Sequence, residues 1–201
     1  MKILHLSDTH GKHRELTDMP SADILVHSGD GTLSSSDEEA LDFIEWLCDL
    51  PYRHKIFIAG NHDDCMWDAS LEGLPDGVHY LCDSSITIDG VNFYGAPMFV
   101  VFEGEDLKEI EHYEQIPDNT DILITHRPPL GILDSIDDNI HYGSSILLDK
   151  VSKVRPRMHL FGHVHSAYGT KDWKGITFSN AGLTDWKYTV RYAPRLLEVN
   201  A

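Results

Sequence analysis

The segment DILVHSGD at residues 23–30 shows the pattern that indicates the fold class: a short apolar run, typical of a buried strand, ends abruptly in Gly-Asp. Two further segments have the same form, namely KILHLSD at residues 2–8 and KIFIAGN at residues 55–61. Ahead of the last of these runs, Ser36 and Glu39 match a capping box, and apolar residues then recur at helical spacing. Strands that alternate with helices in this way predict a parallel sheet with helices packed outside it.

The later part of the chain predicts a second sheet. Its apolar runs are short, and Asp89-Gly90 is a turn signal typical of a hairpin. Two stretches have helical character, residues 103–115 and residues 144–154, and Pro156 ends the second. The predicted strands of this part are residues 78–83, 85–89, 91–94, 121–125, 158–161, 167–170, 175–179 and 196–199. We therefore expect a single domain, residues 1–201, with two packed sheets.

Charge and composition restrict the partners. The chain has 201 residues, with 16 Lys and Arg against 33 Asp and Glu, a formal net charge of −17. Such a surface repels phosphate backbones and anionic lipids, which disfavours broad nucleic-acid binding and membrane binding. The N-terminus turns polar after six residues and no apolar run approaches the length of a membrane span, so we expect neither a signal peptide nor a transmembrane helix. Three cysteines without CxxC spacing indicate reduced thiols and a cytoplasmic location.

Residue types that bind metals follow the predicted strands. Ligand sites of α/β proteins lie at the carboxyl ends of strands, so these side chains are expected to meet at one rim. Two cations about 3.5–4 Å apart need a bridging carboxylate and several further nitrogen or oxygen ligands. Taken singly, each cluster also fits a turn or a structural histidine, but their joint occurrence favours a metal site. The clusters are Asp8-Thr9-His10, Gly29-Asp30, Gly60-Asn61-His62-Asp63, His126 and Gly162-His163-Val164-His165.

The ordered set D-x-H, GD, GNHD, H and GHxH resembles the calcineurin-like metallophosphoesterases. The match runs from Asp8 to His165. The segments THRPPLG at residues 125–131 and HLFGHVH at residues 159–165 are most similar to the THGPPLG and HVFGHIH segments of the small intracellular branch of that superfamily. The resemblance implies a four-layer α/β/β/α sandwich, an α/β fold, and a hydrolase that acts on phosphoric ester bonds.

The resemblance also implies a dinuclear metal centre. A hydroxide shared by two divalent ions would attack phosphorus in line, and the ions would stabilise charge on the phosphoryl oxygens. Mixed nitrogen and oxygen ligands fit manganese, the ion that we expect, and also iron, zinc, cobalt or nickel, whereas Mg²⁺ prefers oxygen ligands. By this resemblance the first ion is held by Asp8, His10 and His165, the second by Asn61, His126 and His163, and Asp30 bridges both.

Four residues are predicted to serve catalysis or substrate binding. His62 suits a proton donor to the leaving oxygen or a contact to the phosphoryl group, and Asp63 would orient His62 by a hydrogen bond. Asn61 and Arg127 are further predicted contacts to substrate. Arg127 stands where the small branch usually has glycine, and it either touches a substrate phosphate or crowds the mouth of the site.

Departures from the pattern narrow the substrate. The sequences GDGTLSS at residues 29–35 and AGNHD at residues 59–63 lack the arginines of the GDxVDRG and RGNHE motifs in phosphoprotein phosphatases. This favours a phosphodiester or a small nucleotide, and a phosphodiesterase is the enzyme that we expect. The alternative is a catalytically weak nucleotide-binding or protein-interaction scaffold of the same fold. The presence of all seven ligands and of His62 favours the enzyme.

Four other positions are open to a functional and a structural interpretation. Asn180, within SNAG at residues 179–182, lies either near the site or in a structural turn, and we favour the turn. The tryptophans at three positions either stack on a nucleobase or pack in the core or against the protein surface, and we favour packing; they are Trp67, Trp173 and Trp186.

Overall fold

The computed structural model describes residues 1–67, 69, 71–98, 106–137 and 140–199. Within these residues the chain forms two large β-sheets, a small two-stranded sheet and three α-helices. None of these helices has the length and apolar character that a membrane span requires.

The first sheet is built mostly from the N-terminal part of the chain. Its strands are β1 (Lys2–Leu6), β2 (Ile24–His27), β3 (His54–Phe57), β4 (Val78–Tyr80) and β13 (Arg195–Glu198). They lie in the order β13-β1-β2-β3-β4, and only β13 is antiparallel to its neighbour. The first three runs of the sequence thus form adjacent parallel strands, as predicted.

The second sheet has six strands. They are β5 (Ser84–Ile88), β6 (Val91–Ala96), β7 (Ile122–Thr125), β10 (Met158–Phe161), β11 (Gly169–Trp173) and β12 (Ile176–Asn180). The order is β11-β12-β10-β7-β6-β5, with parallel pairing from β12 to β6 and antiparallel strands at both edges. The turn between β5 and β6 has positive φ at Asp89 (50°) and Gly90 (81°), the conformation of a tight hairpin turn.

Apolar side chains on both faces of each sheet make four layers. In β1, Ile3 points toward the second sheet, where it joins a buried cluster with Phe93 and Ile124. The next residue, Leu4, points the other way and packs with Phe43 of a helix. Successive residues of a strand face opposite sides, so a strand buried on both faces is apolar throughout.

The helices cover the outer faces of the sheets. Helix α1 (Asp37–Asp49) packs on the first sheet, and helices α2 (Asp106–Glu114) and α3 (Ser145–Val154) belong to the cluster outside the second sheet. The result is the α/β/β/α sandwich that the sequence predicted. The capping box is only half formed. The Ser36 side chain accepts a hydrogen bond from the Glu39 N–H at 3.2 Å, as expected. The Glu39 carboxylate instead accepts from the backbone N–H groups of residues 33 and 34.

Several strand boundaries differ from the prediction by a few residues, among them β11, which was predicted at residues 167–170 and lies at Gly169–Trp173. Two further differences have a clear physical reason. The predicted strand at residues 78–83 ends at Tyr80, because the chain crosses there from the first sheet to the second and begins β5 at Ser84. An apolar pattern does not reveal which sheet a strand joins. The small hairpin of β8 (Ser135–Asp137) and β9 (Ile140–His141) was not predicted, because its isoleucines are exposed and carry no core pattern. The first three residues of the predicted helix at 103–115 lie outside the described residues.

Candidate metal centre

The seven predicted ligands lie just beyond the carboxyl ends of five strands. Asp8 and His10 follow β1, while Asp30 and Asn61 follow β2 and β3 of the same sheet. The histidines of the second sheet follow β7 and β10. Because the two sheets pack face to face, ligands from both meet between them at one end of the sandwich.

The first group of ligands is compact. The Nε2 atom of His165 lies 3.2 Å from Asp8 Oδ1, and the same Nε2 lies 3.3 Å from His10 Nε2. The distance from His10 Nε2 to Asp8 Oδ1 is 3.9 Å. One cation could therefore contact all three side chains with little movement of the protein.

Asp30 connects this group to the remaining ligands. Its Oδ2 atom lies 3.6 Å from His10 Nε2 and 3.2 Å from His126 Nε2. Close by, His163 Nδ1 lies 2.9 Å from Asn61 Oδ1. The Asp30 carboxylate thus lies between two histidines that were assigned to different ions.

Three of the histidine rings are oriented by backbone carbonyl groups. The Nδ1 atoms of His10, His126 and His165 lie 3.2, 2.9 and 3.0 Å from carbonyl oxygens of residues 32, 28 and 185. An N–H at Nδ1 that donates to a carbonyl leaves the Nε2 lone pair for a cation. His163 is turned the other way, since its Nδ1 faces Asn61.

The residues present fit divalent metal ions. The Nε2 atom of His126 is buried and has no hydrogen-bond partner among the described residues, which suits an atom that binds a metal. The backbone also approaches the carboxylates closely, because a Cβ atom at Gly60 would collide with Asp30 Oδ1 and one at Gly162 with Asp8 Oδ2. Carboxylate, imidazole and amide donors together match the preference of first-row transition ions.

The ligand loops have unusual backbone conformations. The φ angles are 55° at Asp8, 43° at His10, 58° at Asp30 and 67° at His163. Each such residue costs about 1–2 kcal/mol relative to an ordinary conformation. Hydrogen bonds to the carboxylates hold the strained loops, because the His163 N–H donates to both oxygens of Asp8 at 3.0 Å. Strain of this kind is concentrated at functional sites.

Electrostatics keep the two carboxylates ionised. Burial opposes their ionisation, yet the histidines around them hold the pKa of Asp8 and of Asp30 below the usual range. In return, although burial favours neutral imidazole, the Asp30 carboxylate raises the pKa of His126 to about 10. Burial lowers the pKa of His10 and of His163 to about 4, so these rings are ready to bind a cation as neutral ligands.

His62 lies at the edge of the metal centre. Its ring makes an edge contact with His10 at a centroid distance of 4.7 Å, and its backbone N–H donates to Asp30 Oδ1 at 2.9 Å. The His62 Nδ1 lies 2.8 Å from the carbonyl oxygen of Leu33. A carbonyl acceptor requires a proton on Nδ1, so the Nε2 atom is the one available to substrate.

The predicted hydrogen bond from Asp63 to His62 is wrong. The buried Asp63 carboxylate accepts from the N–H groups of Gly31 (3.2 Å), Thr32 (2.9 Å) and Gly60 (2.9 Å), and from the Thr32 hydroxyl. Burial and the nearby Asp30 raise the pKa of Asp63 to about 6. Asp63 therefore joins the loop after β2 to the loop after β3, and so positions Asp30 and Asn61 through the backbone.

Arg127 lies beside the centre in a half-buried position. Its Nη1 atom is 3.2 Å from Glu109 Oε1, and its Nε–H donates to the carbonyl oxygen of Tyr142 at 3.1 Å. Among the described residues, Arg127 does not line the cavity that opens over the metal centre. Contact between Arg127 and substrate stays a prediction.

Asn180 has the structural role that the sequence favoured. Its side-chain NH₂ group donates to the carbonyl oxygens of Leu133 (3.2 Å) and Val164 (3.0 Å), and its Oδ1 accepts from the Gly182 N–H. The side chain thus supports the loop that carries the histidines of the GHVH segment.

A cavity of about 590 Å³ opens over the metal centre. One side is formed by predicted site residues, among them Asp30, Asn61 and His62. Aromatic side chains form much of the rest of the lining, and apart from Trp186 the sequence pattern did not predict them. A signal was present, because DWKYTVRY at residues 185–192 places three aromatic residues in eight. The aromatic residues that line the cavity are Tyr142, Trp186, Tyr188 and Tyr192.

Comparison with known proteins agrees with this geometry. The sequence model of the family described as calcineurin-like phosphoesterase matches residues 1–167. The chain is 35% identical to UPF0046 protein C25E10.12 of Caenorhabditis elegans, over 99% of this chain and 81% of that protein. It is also 35% identical to metallophosphoesterase domain-containing protein 1 of Homo sapiens, over 96% of this chain and 68% of that protein.

Solved structures share the fold at low sequence identity. One crystal structure superposes with a TM-score of 0.64 at 14% identity and covers 90% of each chain. GAP50, described as the anchor in the inner membrane complex of Plasmodium, has a TM-score of 0.57 at 13% identity, over 91% of this chain and 71% of its own. These similarities show the sandwich architecture alone.

Proposed function

The chain belongs to the calcineurin-like phosphoesterases, and from this premise we propose that it hydrolyses a phosphodiester or a small nucleotide with two divalent metal ions. The family and the candidate metal centre support a metal-dependent hydrolase of phosphoric esters in general. The narrower proposal concerns the substrate, the number of ions and their identity.

The position of Asp30 carries the proposal. Its carboxylate lies 3.6 Å from His10 Nε2 on one side and 3.2 Å from His126 Nε2 on the other. A single ion would leave one of these histidines without a role in a buried, acidic site. Two ions that share Asp30 would use both, and manganese suits the mixed donor set.

The ligands divide into two groups in this proposal. Bound ions would supply a water molecule of lowered pKa as the nucleophile and would neutralise charge on the phosphoryl oxygens. One ion would be held by Asp8, His10 and His165, the other by Asn61, His126 and His163, with Asp30 shared.

His62 is the proposed proton donor. Because Nδ1–H donates to the Leu33 carbonyl, the proton for transfer would lie on Nε2 of the imidazolium form of the ring. The Nε2–H of that imidazolium can be given to the leaving oxygen as the P–O bond breaks, and the ring returns to its neutral form. Its neighbour Asn61 also lines the cavity and would donate its amide N–H to a phosphoryl oxygen.

The proposed compartment is the cytoplasm. Within the part of the chain that the structure describes, Cys48, Cys65 and Cys82 form no disulfide with one another, which fits a reducing environment. Labelling of all three thiols in protein extracted without reductant would support this compartment, and a mixed disulfide would count against it.

The test combines metal content with turnover. Hydrolysis of bis(4-nitrophenyl) phosphate and of 4-nitrophenyl phosphate with added Mn²⁺ separates diesterase from monoesterase activity. We expect Asp30→Asn to lose turnover and bound metal, and His62→Ala to keep metal while kcat falls about 10²–10⁴-fold. The exposed Asp118→Asn serves as the matched control. Full turnover in Asp30→Asn would reject the two-ion centre, and metal binding without turnover in the unmodified protein would favour the scaffold alternative.

A further inference from the structure

Most of the aromatic part of the cavity wall beside the metal centre comes from one short segment of the chain. Residues 185–192 contribute Trp186, Tyr188 and Tyr192 to the lining. This segment lies beyond residues 1–167, the part of the chain that the family's sequence model matches. The match to the family's sequence model therefore does not include the aromatic wall.

Tyr188 lies where the wall meets the metal centre. Its ring centroid is 4.6 Å from that of His10 and 6.0 Å from that of His62. The φ angle of Tyr188 is 58°, a conformation that bulky residues rarely adopt. Reciprocal hydrogen bonds hold the turn, because Tyr188 N–H donates to the Asp185 carbonyl and Asp185 N–H donates to the Thr189 carbonyl, both at 2.9 Å. The ring is thus held against the imidazoles.

Tyr192 is held from behind by a stack of side chains. Its ring is parallel to that of Tyr168, with a centroid distance of 4.2 Å and an angle of 6°. The Tyr168 hydroxyl donates to the Ala193 carbonyl at 2.7 Å, and the Arg195 guanidinium lies 3.9 Å from the Tyr168 ring centre. Tyr192 therefore presents a flat, preorganised surface to the cavity.

Trp186 is unusually exposed for a large aromatic side chain. Its surface is 78% accessible, and the Lys187 ammonium lies 4.6 Å from the ring centre. Trp186 lines the same cavity as Tyr188 and Tyr192, and exposed aromatic side chains that are grouped in this way, unlike single ones, mark binding surfaces. The chain's net charge of −17 disfavours an anionic lipid as its partner.

We propose that this wall binds a flat aromatic group of the substrate, with Trp186 and Tyr192 as the residues that determine specificity. The group is a nucleobase or an aryl ring, attached to a phosphoryl group that lies over the metal centre. The cavity of about 590 Å³ is within the usual range for a small ligand. The position of the phosphoryl group over the metal centre rests on the proposed function. The binding of a flat aromatic group rests on the aromatic wall alone.

Binding calorimetry on the Mn²⁺-loaded protein tests the inference independently of turnover. The probes are adenosine 5′-monophosphate, phenyl phosphate and ribose 5-phosphate, which share a phosphate and differ in the flat group. We expect at least one of the two aromatic probes to bind about tenfold more tightly than ribose 5-phosphate, since stacking on one aromatic side chain supplies about this factor. The aromatic probe that binds more tightly than ribose 5-phosphate identifies the flat group as a nucleobase or an aryl ring.

The variants assign the preference to the wall. Trp186→Ala and Tyr192→Leu should each reduce the aromatic preference and leave ribose 5-phosphate unchanged. Leu107→Ala is the matched control, because Leu107 is 75% exposed on α2 and lies outside the cavity lining. Equal affinity for the three probes, or preference that survives both wall variants, would overturn the inference. Aromatic preference without hydrolysis of any ester would instead reject the proposed function and leave the inference standing.

Discussion

The Nδ1 atom of His165 lies 3.0 Å from the carbonyl oxygen of Asp185, twenty residues further along the chain. The Asp185 carboxylate in turn accepts from the N–H groups of Lys187 (2.9 Å) and Thr189 (3.0 Å) and from Arg191 Nε (2.9 Å). One aspartate thus organises the turn whose carbonyl orients a candidate metal ligand. The same turn carries the aromatic wall, so the two halves of the cavity share a support.

Replacement of Asp185 should loosen that support. In Asp185→Ala the turn loses the three hydrogen bonds that the carboxylate accepts, so the His165 ring is less well oriented. The affinity for Mn²⁺ should therefore fall about tenfold or more. Titration calorimetry with Mn²⁺ measures the change, and Asp118→Ala is the control on an exposed turn. Unchanged Mn²⁺ affinity in Asp185→Ala would show that His165 needs no such support.

Gly60 should tolerate no side chain. In Gly60→Ala the new Cβ would collide with Asp30 Oδ1 and lie 2.6 Å from the Asp30 backbone nitrogen, so the loop after β2 must shift. We expect a loss of about 1–3 kcal/mol in unfolding free energy and a weaker metal centre. Urea denaturation and metal analysis provide the measurements. Gly169→Ala is the control, since its Cβ would meet the end of the Leu133 side chain at 3.3 Å and the Ala167 carbonyl oxygen at an ordinary contact distance of 3.7 Å. Equal metal content in both variants would contradict the prediction.

Asp63 should matter for stability rather than for proton transfer. Asp63→Ala leaves the buried N–H groups of Gly31, Thr32 and Gly60 without their acceptor, so the protein should lose about 2–4 kcal/mol of stability. Because Asp63 does not hydrogen-bond to the His62 ring, the pH dependence of kcat in the folded variant should stay the same. A changed pH dependence of kcat in Asp63→Ala would support the role first predicted for Asp63, the orientation of His62.

Acid should destabilise the protein through buried histidines. Burial lowers the pKa of His159 from its ordinary value of 6.5 to about 3. Between these two pH values the unfolded chain binds a proton at His159 that the folded chain does not. The free energy of unfolding is therefore highest above pH 6.5, where neither state is protonated, and it decreases as the pH falls toward 3. The slope is at most about 1.4 kcal/mol per pH unit.

His159→Leu tests this assignment. The Thr125 hydroxyl donates to the Arg127 carbonyl, so His159 Nε2 is the donor in its own contact with Thr125 and leucine leaves no buried donor unpaired. Denaturation at pH 7.5 and at pH 5 should show a smaller difference in His159→Leu than in the unmodified protein. An identical pH dependence would assign the acid sensitivity to other groups.

Much of this architecture is visible in local patterns. Apolar runs at residues 2–8, 23–30 and 55–61 each end in a candidate ligand, and short-range periodicity is enough to mark them as strands. Helix α1 was recognisable because Ser36 and the apolar residues after it lie within one helix length. The order and spacing of Asp8 through His165 also carried the family resemblance, which the match over residues 1–167 confirms.

Other features depend on contacts between distant segments. The carboxylate of Asp63 hydrogen-bonds to residues about thirty positions earlier in the chain, although its place beside His62 in the sequence suggested a local partner. The transfer of the chain between sheets after Tyr80 has no local signature. The aromatic residues at 185–192 are visible in the sequence, but only the folded chain shows that they line the cavity.

Residue type and short-range periodicity therefore specified the strands of the two large sheets, helix α1 and the chemistry of the ligands along this chain. Packing of the two sheets decided which side chains face one another, how Asp63 joins two loops and what stands opposite the metal centre. The physical reason is that hydrophobic burial is non-directional: it determines that a segment is inside, while the partner of each polar group is settled only when both sheets are in place.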